Sequence, residues 1–231
     1  MLLYALLGCV KPSPALETGA RIDSGETGTF DTGEPSLCGA WSGVRGPGTA
    51  WSLAPTEAYV AQWGWTGSGT ATVTEVSGEL VIVELIAHYE GEEGYFDLRR
   101  GDTWRCDGAA AWWVRSDVSS SGESGGSHIG SAAVRTFEPG WLVRPATAEV
   151  GASWADNFTV TTTFDGGEPS VGAASCVSTV AEEAVRAVEA GDVLARHVSV
   201  ECTGVGVDSV WLRENGGFVE DDDLQLVAYR P

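Results

Sequence analysis

Glu79-Leu80-Val81-Ile82-Val83-Glu84-Leu85-Ile86-Ala87 is the stretch that decides the fold class. Val81, Ile82, Val83 and Ile86 are β-branched, and such side chains fit a pleated sheet better than a helix. Working outward, Thr70-Ala71-Thr72-Val73-Thr74-Glu75-Val76 alternates in the same way, and Tyr59-Val60-Ala61-Gln62-Trp63-Gly64-Trp65 is read as a further strand. Glycine or serine bounds each run, as turns bound strands. Shorter candidates follow at 94–98, 110–115, 132–137, 158–164, 174–180, 184–189, 196–202, 209–213 and 224–229, with a Ser- and Gly-rich loop expected at 118–127. The pattern predicts an all-β chain.

Composition agrees and narrows the function. Ten tryptophans and 31 glycines against one methionine, in 231 residues, suit a sheet domain with tight turns. The formal net charge of −20 repels phosphate backbones, so nucleic acid is excluded as a partner, and charge alone does not hold the chain to an anionic bilayer.

The N-terminus points to an address. Residues 1–9 read Met-Leu-Leu-Tyr-Ala-Leu-Leu-Gly-Cys, and Leu6-Leu7-Gly8-Cys9 resembles the lipobox of bacterial lipoproteins. The resemblance implies a signal peptide over 1–8 and a diacylglycerol on the Cys9 thiol. Two or three acyl chains anchor stably because each buried methylene contributes about 0.8 kcal/mol. No Lys or Arg precedes the apolar run, a departure that a true start a few codons upstream would remove. Residues 9–37 are an acidic Gly-, Thr- and Pro-rich spacer with Phe30 as their one aromatic residue, too polar to fold on its own. The expected organisation is therefore signal peptide 1–8, lipidated cysteine and spacer 9–37, and a β domain over 38–231 in halves of about 38–117 and 128–231. Val10 is not aspartate, so by family analogy the destination is the outer membrane, on its periplasmic or its surface face.

A second resemblance lies in the C-terminal third. Val188-Glu189-Ala190-Gly191-Asp192-Val193-Leu194-Ala195-Arg196-His197-Val198 resembles the strand, Ala-Gly turn, strand layout of a group of bacterial periplasmic proteins. Trp211-Leu212-Arg213-Glu214-Asn215-Gly216-Gly217-Phe218-Val219 resembles their following hairpin, 224–229 their closing strand, and Val150-Gly151-Ala152-Ser153-Trp154 their opening one. These proteins are similar in shape to lipoprotein- and lipid-carrier half-barrels. The resemblance covers residues 140–231, with 51–115 as a weaker copy. It implies an antiparallel, strongly curved sheet or half-barrel built from two similar halves, with a concave apolar face; the alternative is a β-sandwich. It also tips residues 179–190, rich in Ala and Glu and without a clean period, towards strand.

Catalytic chemistry is not legible. His88, His128 and His197 stand apart from one another and from cysteine, so no zinc pattern forms, and there is no Gly-x-Ser-x-Gly elbow and no phosphate-binding loop. No catalytic residue, metal ligand or cofactor is assigned. Beyond Cys9, the even number of cysteines in an exported chain argues for two disulfides among Cys38, Cys106, Cys176 and Cys202. All three pairings are possible; Cys38–Cys106 with Cys176–Cys202 is favoured because each staples sequence-local strands. Trp63 with Trp65, and one of Trp112 and Trp113, are candidates for a ligand surface, since large aromatic faces bind lipids and sugars. The expected function is an envelope-anchored lipoprotein with a non-enzymatic binding or structural role, holding an apolar or envelope ligand on a concave sheet. The alternatives are a surface adhesion or carbohydrate-binding sandwich and, last, an uncharacterised hydrolase. The oligomeric state is left open.

Overall fold

The structure, a computed structural model, describes residues 46–107, 110–144, 148–203, 206–213, 217–221 and 224–230. Cys9, the expected signal peptide and spacer, Cys38 and the acidic residues 222 and 223 lie outside them. The chain is all-β as the sequence predicts, with twelve strands and one short helix in the order β1 (Ala50–Pro55), α1 (Glu57–Trp63), β2 (Thr66–Ser77), β3 (Leu80–Gly91), β4 (Gly94–Cys106), β5 (Ala111–Ser124), β6 (Ser127–Arg144), β7 (Ser153–Phe164), β8 (Ser170–Val188), β9 (Gly191–Cys202), β10 (Gly206–Arg213), β11 (Gly217–Asp221) and β12 (Leu224–Arg230).

Every strand pairs antiparallel with its neighbours in sequence, and β1 pairs with β12, so the sheet closes into a barrel. This corrects both the half-barrel and the sandwich. An open sheet presents unpaired backbone groups at two edges; here Trp51 lies opposite Tyr229 and Leu53 opposite Leu226, which removes them. Closure of this kind could not be read from short motifs, because the pairing joins residues from opposite ends of the chain and β1 carries no long alternating run.

Strand β3 shows why these sequences become wall. Val81, Leu85, Ala87 and Tyr89 are buried while the intervening Leu80, Ile86, His88 and Glu90 are exposed, a period of two. The buried set belongs to a large apolar cluster with Trp51 and Leu53 of β1, Leu98 of β4, Val118 of β5 and Leu226 of β12. Strands from across the barrel meet there, so that face is the interior. A second cluster gathers Trp113, Phe137, Phe158 and Cys176, and a third gathers Ala148, Val180, Val198 and Leu212. Strand β9 is buried on both sides: Val193 and Ala195 face the first cluster, and Val198, of opposite parity, faces the third. The single concave apolar face expected from the sequence is thus replaced by three packed clusters. Twelve strands enclose more space than the eight whose side chains just fill a barrel, and large aromatic residues such as Trp65, Tyr89, Trp113 and Phe137 help to fill it.

Two local expectations are corrected. Tyr59–Trp63 is helical: the Thr56 Oγ1 accepts from the Tyr59 N–H, and Gly64 ends the helix at φ 71°. Residues 118–127 are not a loop; Ser120 lies opposite Ser131 and Gly122 opposite Ile129, so they form the outer ends of β5 and β6 with a turn at 125–126. Pairing between β5 and β6 runs without a shift from Arg115–Thr136 to Ser124–Ser127, and the two register shifts lie further along, at Ala111/Trp112 and at Trp113/Arg115. Residues 179–190 are strand, within β8.

Cys176 and Cys202 lie directly opposite each other on β8 and β9 and form a disulfide, as favoured from sequence. Cys106 is also disulfide-bonded, to a partner outside the described residues.

Candidate functional site

Four of the described tryptophans were candidate ligand contacts, and the structure places them differently. Trp65 is 1% exposed and packs edge-on against Phe96, and Trp113 is 4% exposed within the second cluster. Both are core. Trp63 is half-buried against the first cluster, at the end of α1, so it does not share a strand face with Trp65. Trp112 does point away from Trp113, but its ring is covered by the Arg105 guanidinium at 5.2 Å. No described tryptophan is fully exposed.

The interior holds something the sequence reading missed. Along β4, Leu98, Arg100, Asp102 and Trp104 share one parity, and Leu98 and Trp104 pack into the interior clusters. Arg100 and Asp102 therefore face inward too. Across the ladder, Asp102 lies opposite Ser116 of β5, Ser116 opposite Arg135 of β6, and Arg135 opposite Thr162 of β7. Directly opposed residues project from the same face of a sheet, so these side chains form one polar row. Trp113 and Phe137, 4.8 Å apart, form an aromatic floor beside it.

The charges in this row are tightly held. Arg100 and Asp102 have side chains 12% and 11% exposed, and they bind through Nε–Oδ1 at 2.9 Å and Nη2–Oδ2 at 2.7 Å. The Trp113 indole N–H donates to Asp102 Oδ1 at 3.2 Å, and the Arg100 guanidinium lies 4.8 Å from the same indole. Arg135 titrates below the usual arginine value, first because burial penalises its charge and then because Arg100 is positive beside it. Arginine nevertheless stays protonated at neutral pH. Ser116 is fully buried, and its Oγ has no hydrogen-bond partner. A period-2 reading of Leu98-Arg99-Arg100-Gly101-Asp102-Thr103-Trp104 carries the signal that finds Arg100 and Asp102; nothing local marks Ser116 or Arg135.

A groove of about 500 Å³ lies on the opposite, outer face of the same strands. Glu84, Gly101, Asp117, Val134 and Thr163 line it in one row, and the missing side chain of Gly101 makes its floor. It is open, acidic and bordered by the Glu84–Arg99 ion pair.

The histidines do not assemble a catalytic set. His88 sits on the outer wall with Nδ1 2.7 Å from Asp97 and Nε2 3.1 Å from Glu90. The Asp97 hydrogen bond, then that to Glu90, raises its pKa above 6.5. Both nitrogens are donors in the protonated ring, which leaves no lone pair for a base or a metal. With the folded value raised, protonated His88 adds stability that is fully present below pH 6.5 and is lost as the pH rises through the folded value. An NMR titration is expected to place His88 above 6.5, and Asp97→Asn to bring it back down. His197 stacks on Trp211 at 4.8 Å, so it packs rather than binds. Among the described residues no three metal-ligating side chains converge, and the Asp221 carboxylate accepts from the Leu224 N–H.

The chain matches no protein-family model, no curated protein and no solved structure, so no family lends a role to these residues.

Proposed function

We propose that this chain is a lipid-anchored protein of the bacterial outer membrane whose barrel is a non-enzymatic binding module for an amphiphilic envelope ligand. The lipid on Cys9 makes the anchor, and residues 9–37 space the barrel from the bilayer. The ligand lies in the barrel interior, with its polar group at the Arg100–Asp102–Ser116–Arg135 layer and its apolar part against the aromatic floor.

The observation that carries the binding reading is the unpartnered Ser116 hydroxyl, buried between charged residues. A buried polar atom without a partner costs about 1–3 kcal/mol, and folded proteins keep few of them without reason. Exposed carboxylates on the outer wall, among them Asp97 and Glu90, support a barrel whose outside faces water. The outer surface of a membrane-spanning barrel is an apolar band instead. Among the described residues no exposed tryptophan platform favours a sugar, and no base with a free lone pair at His88 favours a hydrolase.

The anchor is tested by labelling cells with palmitate. The wild-type chain is expected to take up label and fractionate with membranes, and Cys9→Ser to do neither. A wild-type chain that keeps residues 1–8 and a free Cys9 thiol removes the anchor and the envelope address together.

A further inference from the structure

Beyond Val180 and Arg196 the β8–β9 hairpin leaves the wall. Strand β9 pairs with β10 from Arg196 to Cys202, and β7 pairs with β8 as far as Thr179, yet β8 and β9 stay paired out to Val188 and Gly191. Residues 183–195 are thus a two-stranded arm with no ladder partner on either outer side among the described residues. A register shift between Val180 and Glu182 bends β8 at the root of the arm. On one face of the arm Val188, Val193 and Ala195 join the first cluster beside Val219, Leu224 and Leu226. On the other, Val185 and Leu194 lie directly opposite each other, 62% and 58% exposed.

Three ties hold the arm down, each to a different strand. The Ala190 N–H donates to the Leu226 carbonyl of β12 at 3.1 Å. Arg186 donates to Glu220 Oε2 of β11 from Nε at 2.9 Å and from Nη2 at 2.8 Å. The same guanidinium lies 4.5 Å from the Trp211 ring of β10. The ties converge where the wall is weakest, because the described residues of β11 and β12 share a single ladder pair, Glu220 with Gln225. Glu220 therefore serves both the join and the arm, and Leu226 offers its carbonyl to the arm instead of to β11. A two-stranded hairpin has little stability of its own, and motifs held by few contacts open before the whole fold does. We infer that residues 183–195 are a strap across the β11–β12 join, which lifts as a unit and lets the wall part there while the other ladders hold. The strap stands apart from the binding reading; if the interior takes a ligand, the parted join is its sideways entrance to the first cluster.

Amide hydrogen exchange on the full chain, followed by NMR, reads the strap at Ala190 and the body at β3. Arg186→Met removes two of the three ties but keeps an apolar stem. It is expected to speed exchange at Ala190 about 10- to 100-fold and to leave the amides of β3 unchanged. Glu220→Gln, which keeps the guanidinium over Trp211, should give a smaller rise of about 3- to 10-fold at the same amide. Val219→Cys reads the wall itself, since that side chain is 0% exposed on β11. Its alkylation by iodoacetamide, located by peptide mass, should speed up by the same factor when Arg186→Met is added. Parallel rises at Ala190 and at the thiol of position 219, with β3 still protected, support the strap. A rise at Ala190 alone means that the arm frays without parting the wall, and the inference falls. It falls equally if the β3 amides speed up as much as Ala190, because the arm then opens only with the whole barrel, or if neither variant moves Ala190.

Discussion

Asp102→Ala is expected to destabilise the barrel by about 3–5 kcal/mol, the range for removing one partner of a buried ion pair. Two groups lose a partner, and a third is left beside a bare cation. Arg100 loses both hydrogen bonds of its fork, the Trp113 indole N–H loses one of its two acceptors, and Arg135 remains beside an uncompensated cation. For a chain of this size Tm should fall by about 10 °C. Asp102→Asn keeps an oxygen for Trp113 but not the charge, and should cost nearly as much, because the charge rather than the hydrogen bond to Trp113 holds the Arg100 guanidinium in place. Asp117→Ala is the control. Its Arg115 pair is bidentate at 2.6 Å but exposed on both sides, so its loss should cost no more than about 1 kcal/mol. Thermal or urea unfolding of the three variants orders these effects.

Trp65→Ala is the second large effect, at about 3–5 kcal/mol. The ring is 1% exposed, sits edge-on to Phe96 at 5.2 Å, and presses on Gly91 so closely that a Cβ there would lie 3.0 Å from it. Its indole nitrogen is buried without a partner, so Trp65→Phe removes an unsatisfied donor while keeping most of the packed area. Trp65→Phe should therefore cost less than about 1.5 kcal/mol. An equal loss in both variants, measured by urea unfolding, would show that the nitrogen and not the ring supports this end of the barrel.

The wall of this fold was legible where alternation is strong and local. The run over residues 80–87 reads as a strand because each residue's fate depends on its own parity, and β3 has it so. Legibility failed where backbone chemistry overrides composition. Tyr59–Trp63 looks like a strand by residue type, yet Thr56 as cap, Glu57 in the first turn and Gly64 at the end are helix punctuation, and they prevail. Residues 118–127 look like a loop, yet long neighbouring strands on both sides supply ladder partners for their backbone. The two facts that matter most for function were the least accessible. Closure joins β1 to β12 over nearly the whole chain, and the polar layer joins β4, β5, β6 and β7 through register alone. Closure leaves no mark in any window of the sequence, and of the layer only Arg100 and Asp102 leave one, through the period-2 run of β4. The Cys176–Cys202 bridge was accessible because an even cysteine count and a short separation of 26 residues point the same way.

An interior exists for a ligand only if the sheet closes, so the seam between β1 and β12 is where the account is most exposed. Amide hydrogen exchange at Trp51, Leu53, Leu226 and Tyr229, followed by NMR on the native protein, measures it directly. In a closed barrel these amides are expected to exchange about as slowly as those of β3 and β4, through global opening. Exchange at the seam about a thousand times faster, with β3 and β4 still protected, would mean an open sheet with two free edges and no inside to hold the charged layer.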